Sequence, residues 1–291
     1  MTDTEPKAAG LTPEEVLARA ESVILPSIDG KPPLPLGLNG HPLRVGVDLG
    51  TAYTVLVVLD EHGTPLAGEY QFTQVVRDGL VVDFIGAVDI LQAMKQRVEK
   101  RLGTDLTHAA SGFPPGVPRA EVRATANVVQ AAGMTCPELI DEPSAANNLL
   151  GLKDGIIVDI GGGTTGIAVL ENGTVVHTAD EPTRGTHMSL VIAGASDLSF
   201  EEAEELKKNP AEQRRLFPII RPVMEKMGTI IERHTRGVNA RSIVLVGGTP
   251  LFPGMDTVIE EVTGIPTRTA LNPLFVTPVG IAMHDTQGLE V

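Results

Sequence analysis

One pattern occurs twice in this chain: a short apolar strand ending in aspartate, a turn of glycine and threonine, and a second apolar strand. It occupies residues 45–59, where the aspartate is Asp48 and the turn runs through Gly50 and Thr51. It returns at 156–170, with Asp159 followed by Gly161-Gly162-Gly163-Thr164. The two copies lie too far apart for a solenoid repeat, and their separation suits a duplication on the scale of a domain. At 291 residues the chain is long enough for about two domains, each with its own core. The pattern predicts an α/β fold with two duplicated lobes, at 43–154 and 155–291, behind an extension at 1–42.

That extension reads as one amphipathic helix and a linker. Thr12-Pro13-Glu14-Glu15 is a capping box with proline at the first helical position, and Val16, Leu17, Ala20, Val23 and Ile24 follow at helical spacing. Pro26 ends the helix, and 26–42 is rich in Pro and Gly, as a semi-rigid linker would be. A helix of this form can serve as a targeting peptide that docks in a partner groove. Packing on its own body is the favoured reading, because tertiary packing is the usual reason for an apolar stripe. Further helices are expected at 88–102, 119–132, 144–150, 199–208, 223–234 and 274–283. Strands are expected at 174–178 and 243–246, the latter leading into Gly247-Gly248-Thr249.

Ligands in α/β sheets bind at the carboxyl ends of the strands, where Asp48 and Asp159 both stand. Small turn residues let backbone N–H groups approach an anion, threonine hydroxyls add donors, and carboxylates hold Mg²⁺ through its retained waters. Two such hairpins facing each other would grip a triphosphate from both sides, and the turn at Gly247 and Gly248 would admit a flat base and ribose. Gly161-x-Gly163-x-x-Gly166 also fits a dinucleotide fingerprint, but that motif needs a helix to follow, and here a strand and an Asn-Gly hairpin follow. There is no G-x-x-x-x-G-K-[ST] motif, and the seven histidines form no zinc-binding pair. Cys136 reads as a buried structural thiol, and the acidic run 201–205 reads most simply as a solvated helix face.

Composition excludes other classes. Lys plus Arg is 23 against 37 for Asp plus Glu, a net charge of −14, which disfavours nucleic acid polymers as partners. With no Trp and only 2 Tyr, base-stacking platforms are scarce. No apolar run approaches the roughly 20 residues that span a bilayer, and the acidic N-terminus is wrong for a signal peptide. The single cysteine excludes an internal disulfide framework. A cytoplasmic protein is expected.

Five segments resemble the nucleotide-binding set of the actin/DnaK-type ATPase superfamily. Val45-Gly46-Val47-Asp48-Leu49-Gly50-Thr51 is similar to its first phosphate motif and Val158-Asp159-Ile160-Gly161-Gly162-Gly163-Thr164-Thr165 to its second. Asp141-Glu142-Pro143-Ser144-Ala145-Ala146 and Pro278-Val279-Gly280-Ile281-Ala282 are similar to its two connecting helices, and Val244-Leu245-Val246-Gly247-Gly248-Thr249 to its adenosine motif. Within the superfamily, Val75-Val76-Arg77-Asp78-Gly79, Ser111-Gly112-Phe113-Pro114-Pro115-Gly116 and Ser199-Phe200-Glu201-Glu202-Ala203-Glu204 resemble the EutJ family of ethanolamine utilisation. That family is described as chaperone-like and is associated with bacterial microcompartments.

The resemblance implies an actin-like ATPase fold, two ribonuclease-H-like lobes around a nucleotide cleft, with ATP or ADP and Mg²⁺ as ligands. It implies that Asp48 and Asp159 hold Mg²⁺ through water and that Glu142 orients the attacking water or the metal shell. Gly50, Thr51, Ala52, Gly161, Gly162, Gly163 and Thr164 would cradle phosphates; Gly247, Gly248 and Thr249 would face the adenosine, and Glu225 the ribose or base. A protein client or microcompartment component is the implied partner. Two departures from the heat-shock chaperones, Gly166 in place of a further aspartate and no counterpart of their phosphate-proximal lysine between Leu59 and Asp89, point to slow hydrolysis or binding without turnover. The chain ends near the second connecting helix, so no peptide-binding domain is expected. A non-enzymatic adaptor and a filament former on the same fold are the alternative readings.

Overall fold

The computed structural model describes residues 11–27, 42–77, 80–183, 185–238 and 240–287. Most of the Pro-rich linker, and Asp78 and Gly79 of the resembling segments, lie outside them. The first sheet is built from β1 (Ile24–Pro26), β2 (Leu43–Leu49), β3 (Tyr53–Asp60), β4 (Pro65–Phe72), β7 (Ala110–Phe113) and β8 (Leu139–Asp141), in the order β1-β4-β3-β2-β7-β8. A separate small hairpin joins β5 (Val76–Arg77) to β6 (Leu80–Val81). The second sheet contains β9 (Gly155–Ile160), β10 (Thr165–Glu171), β11 (Thr174–Glu181), β12 (Ile243–Val246) and β13 (Thr267–Thr269), in the order β11-β10-β9-β12-β13.

The two sheets share one plan. In each, three antiparallel strands (β2, β3, β4; β9, β10, β11) are extended by two parallel ones (β7, β8; β12, β13). The duplication legible in the aspartate hairpins therefore extends to whole lobes, and the α/β actin-like fold expected from the sequence is the fold observed.

Helices cover both faces of each sheet. On one face of the first sheet, α2 (Phe84–Leu102) and α3 (Arg119–Ala131) bury Leu91, Met94, Val98, Val128 and Val129 against β2 and β3. On one face of the second, α5 (Gly185–Ser196), α7 (Pro210–Thr235) and α8 (Met255–Thr263) bury Met188, Ile192, Ile220, Met224 and Ile259. The short α6 (Phe200–Lys208) packs beside α5 and α7. Between the sheets lie α4 (Glu142–Leu150) and α9 (Val276–His284), in a third core with Val55, Val57, Ile157 and Val244. These two cross closely: a side chain on Gly280 would run into the Ala145 carbonyl.

The N-terminal helix α1 (Pro13–Val23) has the capping box expected of it and packs on the body, with Val16, Leu17 and Ala20 buried in the central core. After it, β1 pairs in parallel with β4 and covers that edge of the first sheet. Arg101 donates to the carbonyls of Gly68 and Val23, and Asn272 donates to the Leu17 carbonyl, so the extension touches elements of both lobes.

Several elements depart from the sequence expectation. Helix α7 starts at Pro210 rather than near 223 and carries Pro218 and Pro222 in its interior. Prolines there remove helical donors and read locally as breakers, but burial of Leu216, Ile220, Met224 and Met227 along one face holds the helix through them. Strand β4 was not expected, because Pro65, Gly68, Glu69 and Gln71 spoil an apolar alternation; pairing on both sides by β3 and β1 stabilises it.

Candidate functional site

Both hairpins close their turns in the same way. Gly50 N–H donates to the Tyr53 carbonyl at 3.0 Å, and Gly161 N–H donates to the Thr164 carbonyl at 3.0 Å. The tips meet face to face across a cleft: a Cβ on Gly162 would lie 2.5 Å from that of Ala52, and one on Gly163 would collide with the Thr51 side chain. The third turn locks behind the second hairpin. Thr249 Oγ1 donates to the Gly161 carbonyl at 2.9 Å, and Gly247, at φ +91°, approaches the Ile160 carbonyl so closely that a Cβ would sit 2.7 Å from it. Only glycine takes that backbone conformation without strain.

The cavity between the lobes has a volume of about 550 Å³, within the range of small-molecule and cofactor sites. Every residue assigned to the site from the sequence lines it except one: Asp48, Gly50, Thr51, Ala52, Glu142, Asp159, Gly161 to Thr164 and Gly247 to Thr249 are all in its wall. The exception is Glu225, which lies on α7 outside the lining, paired with Arg221 at 2.8 Å.

Three carboxylates share the floor. Burial raises the Asp48 carboxyl from its ordinary 3.8 to about 7, with the Asp159 charge adding to the effect. Glu142 stands on the first turn of α4, behind the cap that Asp141 makes to the Ser144 N–H. Its carboxyl lies well above the ordinary value through burial first and then the charges of Asp48, Asp159, Asp180 and Asp141. Asp159 is also raised by burial, partly offset by a 2.8 Å bond from the Thr277 hydroxyl. Burial, with like charges beside it at Asp48 and Glu142, favours the protonated carboxyls, and a divalent cation would favour the ionised ones.

The structure also brings in residues that sequence reasoning missed. Glu204, read within a solvated run, is mostly buried on α6 and lines the cavity, bound to Lys207 at 2.7 Å and Ser189 at 2.5 Å. Burial acts to raise its carboxyl, but the Lys207 charge and these bonds outweigh it and hold Glu204 below its ordinary value. Lys208 crosses the cleft, its Nζ lying 5.0 Å from the Phe72 ring centre and 5.9 Å from that of Tyr53. The only local signal for these was the capping box at Ser199, which marks a helix and not the face it buries. Thr277 sits beside the quoted connecting-helix segment, and nothing local distinguishes its hydroxyl.

Comparison with known proteins agrees with this architecture. The model of cell division protein FtsA matches residues 156–280, and that of MreB/Mbl protein matches 64–194. In solved structures, the fold recurs in MreB 5 of Spiroplasma citri bound to AMPPNP, with a TM-score of 0.68 at 17% identity over 83% of this chain and 95% of that one. Ethanolamine utilization protein EutJ of Carboxydothermus hydrogenoformans superposes with a TM-score of 0.84 at 42% identity, covering 94% of this chain and 98% of that one. EutJ of Escherichia coli is 40% identical over 250 residues, 86% of this chain and 88% of its own length. On this identity and coverage, the chain belongs to the EutJ family of ethanolamine utilization proteins and carries its actin-like ATPase fold.

Proposed function

We propose that the cleft between lobes 43–154 and 155–291 binds Mg-ATP or Mg-ADP, with slow hydrolysis or none, and that the nucleotide switches a chaperone-like surface for a protein partner in ethanolamine utilisation. The reading is carried by one observation: two equivalent hairpins, each bearing a carboxylate and a glycine tip, converge on one cavity that the Gly247 turn closes. Backbone N–H groups of the tips and the hydroxyls of Thr51 and Thr164 would hold phosphate oxygens. Gly248 leaves open wall beside Leu274 and the Tyr53 ring, the nearest neighbours of a Cβ placed there at 3.5 and 3.9 Å, where a base fits. Glu204 lies on the same wall with acceptors for ribose hydroxyls.

The donor set suits Mg²⁺. All the carboxylates present oxygen, and among the described residues no three His, Cys, Asp or Glu converge tightly enough to hold an ion by themselves. Mg²⁺ keeps most of its waters and is commonly held by one or two carboxylates plus phosphate. When bound it supplies charge neutralisation at the phosphates. The chain's part would be to orient: Asp48 and Asp159 would hold the ion through its waters, and Glu142 would accept from a water beside the phosphates.

Nucleotide-dependent lobe closure would alter an outer surface, and a protein partner that prefers one state would then be switched. The family supports a place in or beside a bacterial microcompartment in the cytoplasm, and among the described residues no helix is long and apolar enough to cross a membrane. Calorimetry with Mg-ATP and Mg-ADP tests the reading on wild type, Asp48→Ala and Asp159→Ala. Binding lost in both variants supports it, and no detectable binding to wild type at millimolar nucleotide overturns it.

A further inference from the structure

Asp159, Gly166 and Asp180 form one row across the second sheet. Gly166 on β10 pairs in register with Asp159 on β9 and with Asp180 on β11. Residues directly opposite on neighbouring strands present their side chains to the same face. The two carboxylates therefore stand on one face, separated only by a residue with no side chain.

The place above Gly166 is open. A Cβ built there would meet the Asp159 Cβ at 3.9 Å and an Asp180 carboxylate oxygen at 4.0 Å, with nothing closer. These are ordinary van der Waals separations, and Gly166 has no left-handed φ, so neither crowding nor backbone conformation excludes a side chain. Gly166 lines the cleft, which makes the gap part of the site. Asp180 is exposed and stands next to this gap, on a strand that α4 packs against, and its charge reaches Glu142.

We propose that Asp180 is a positioning residue of the nucleotide cleft: from β11, across the bare face of Gly166, it accepts hydrogen bonds from the waters of the divalent cation that accompanies the nucleotide. The proposal rests on the Mg-nucleotide reading above. Mg²⁺ retains water that needs acceptors outside its first coordination sphere, and a gap one side chain wide between two carboxylates provides room and acceptors for it. Outer acceptors of this kind typically change metal affinity 10–100-fold when removed.

The test follows ATP binding to the full chain by calorimetry as free Mg²⁺ is varied. For Asp180→Asn the Mg²⁺ midpoint is expected to rise about 10-fold or more, while affinity at saturating Mg²⁺ stays near that of wild type. The double variant Gly166→Asp/Asp180→Asn, which moves the carboxylate across the row, is expected to bring the midpoint back toward wild type. An unchanged midpoint in Asp180→Asn, an equal loss of affinity at every Mg²⁺ concentration, or a shift that the relocated carboxylate does not reverse would each overturn the proposal while the nucleotide reading stands. Wild type that binds no nucleotide would overturn both.

Discussion

The Thr277 hydroxyl donates to a carboxylate oxygen of Asp159 at 2.8 Å, so α9, wedged between the two sheets, holds the charged end of the second hairpin. Burial drives the Asp159 carboxyl upward and this bond pulls it back. Thr277→Val preserves the side chain's shape and removes the donor. Hydrogen bonds to charged groups contribute about 1.5–3 kcal/mol, so Mg-ATP affinity should fall about tenfold or more at pH 7. Calorimetry with Mg-ATP on wild type and Thr277→Val reads the difference.

Asp48 sets a pH dependence in the nucleotide-free protein. Its folded carboxyl titrates at about 7 against 3.8 ordinarily. Between those values the folded state holds a proton that the unfolded chain has released, so stability decreases as pH rises through this window. Above about pH 7 neither state holds it and the decrease ends; Glu142 acts in the same direction. Thermal melts from pH 4 to 8 should show a falling Tm that Asp48→Asn flattens.

Closure of the hairpin tips depends on Gly162, where a Cβ would overlap that of Ala52. Gly162→Val should wedge the tips apart and weaken Mg-ATP binding by more than tenfold. Because the strain falls on two turns at the cleft rather than in a core, the far-ultraviolet circular dichroism should stay that of wild type. Retained affinity would show that the tips do not need this approach.

Leu17 is buried on the inner face of α1, in the central core that also takes in residues of β3 and α9. Leu17→Ala removes core volume, a change that costs about 2–5 kcal/mol in well-packed sites, and urea unfolding should register it in full. Since the apolar stripe of α1 is used in this contact, residues 1–30 fused to a fluorescent reporter are expected to stay diffuse in a compartment-forming cell. Punctate signal would show that the helix also serves as a targeting peptide.

What could be read from the sequence was whatever a segment of ten or so residues decides. A strand that ends in aspartate and turns through glycine carries its geometry locally, and Asp48, Asp159 and the turns at Gly50, Gly161 and Gly247 line one cleft. The capping boxes at Thr12 and Ser199 were legible for the same reason, since each is a contact between residues three apart. Glu225 lies outside the lining, paired with Arg221, because the sequence identifies its helix without the face that helix turns to the cleft.

The sequence alone thus determined the duplicated hairpins and, through the resemblance of its five motifs, the actin-like fold. Tertiary structure decided which distant side chains complete the cleft. Glu204 and Lys207 enter from α6 and Thr277 from α9, each brought there by the packing of whole elements. The same packing carried α7 through Pro218 and Pro222. Local propensity is a preference of under a few kcal/mol per residue, and the burial of an entire apolar face outweighs it.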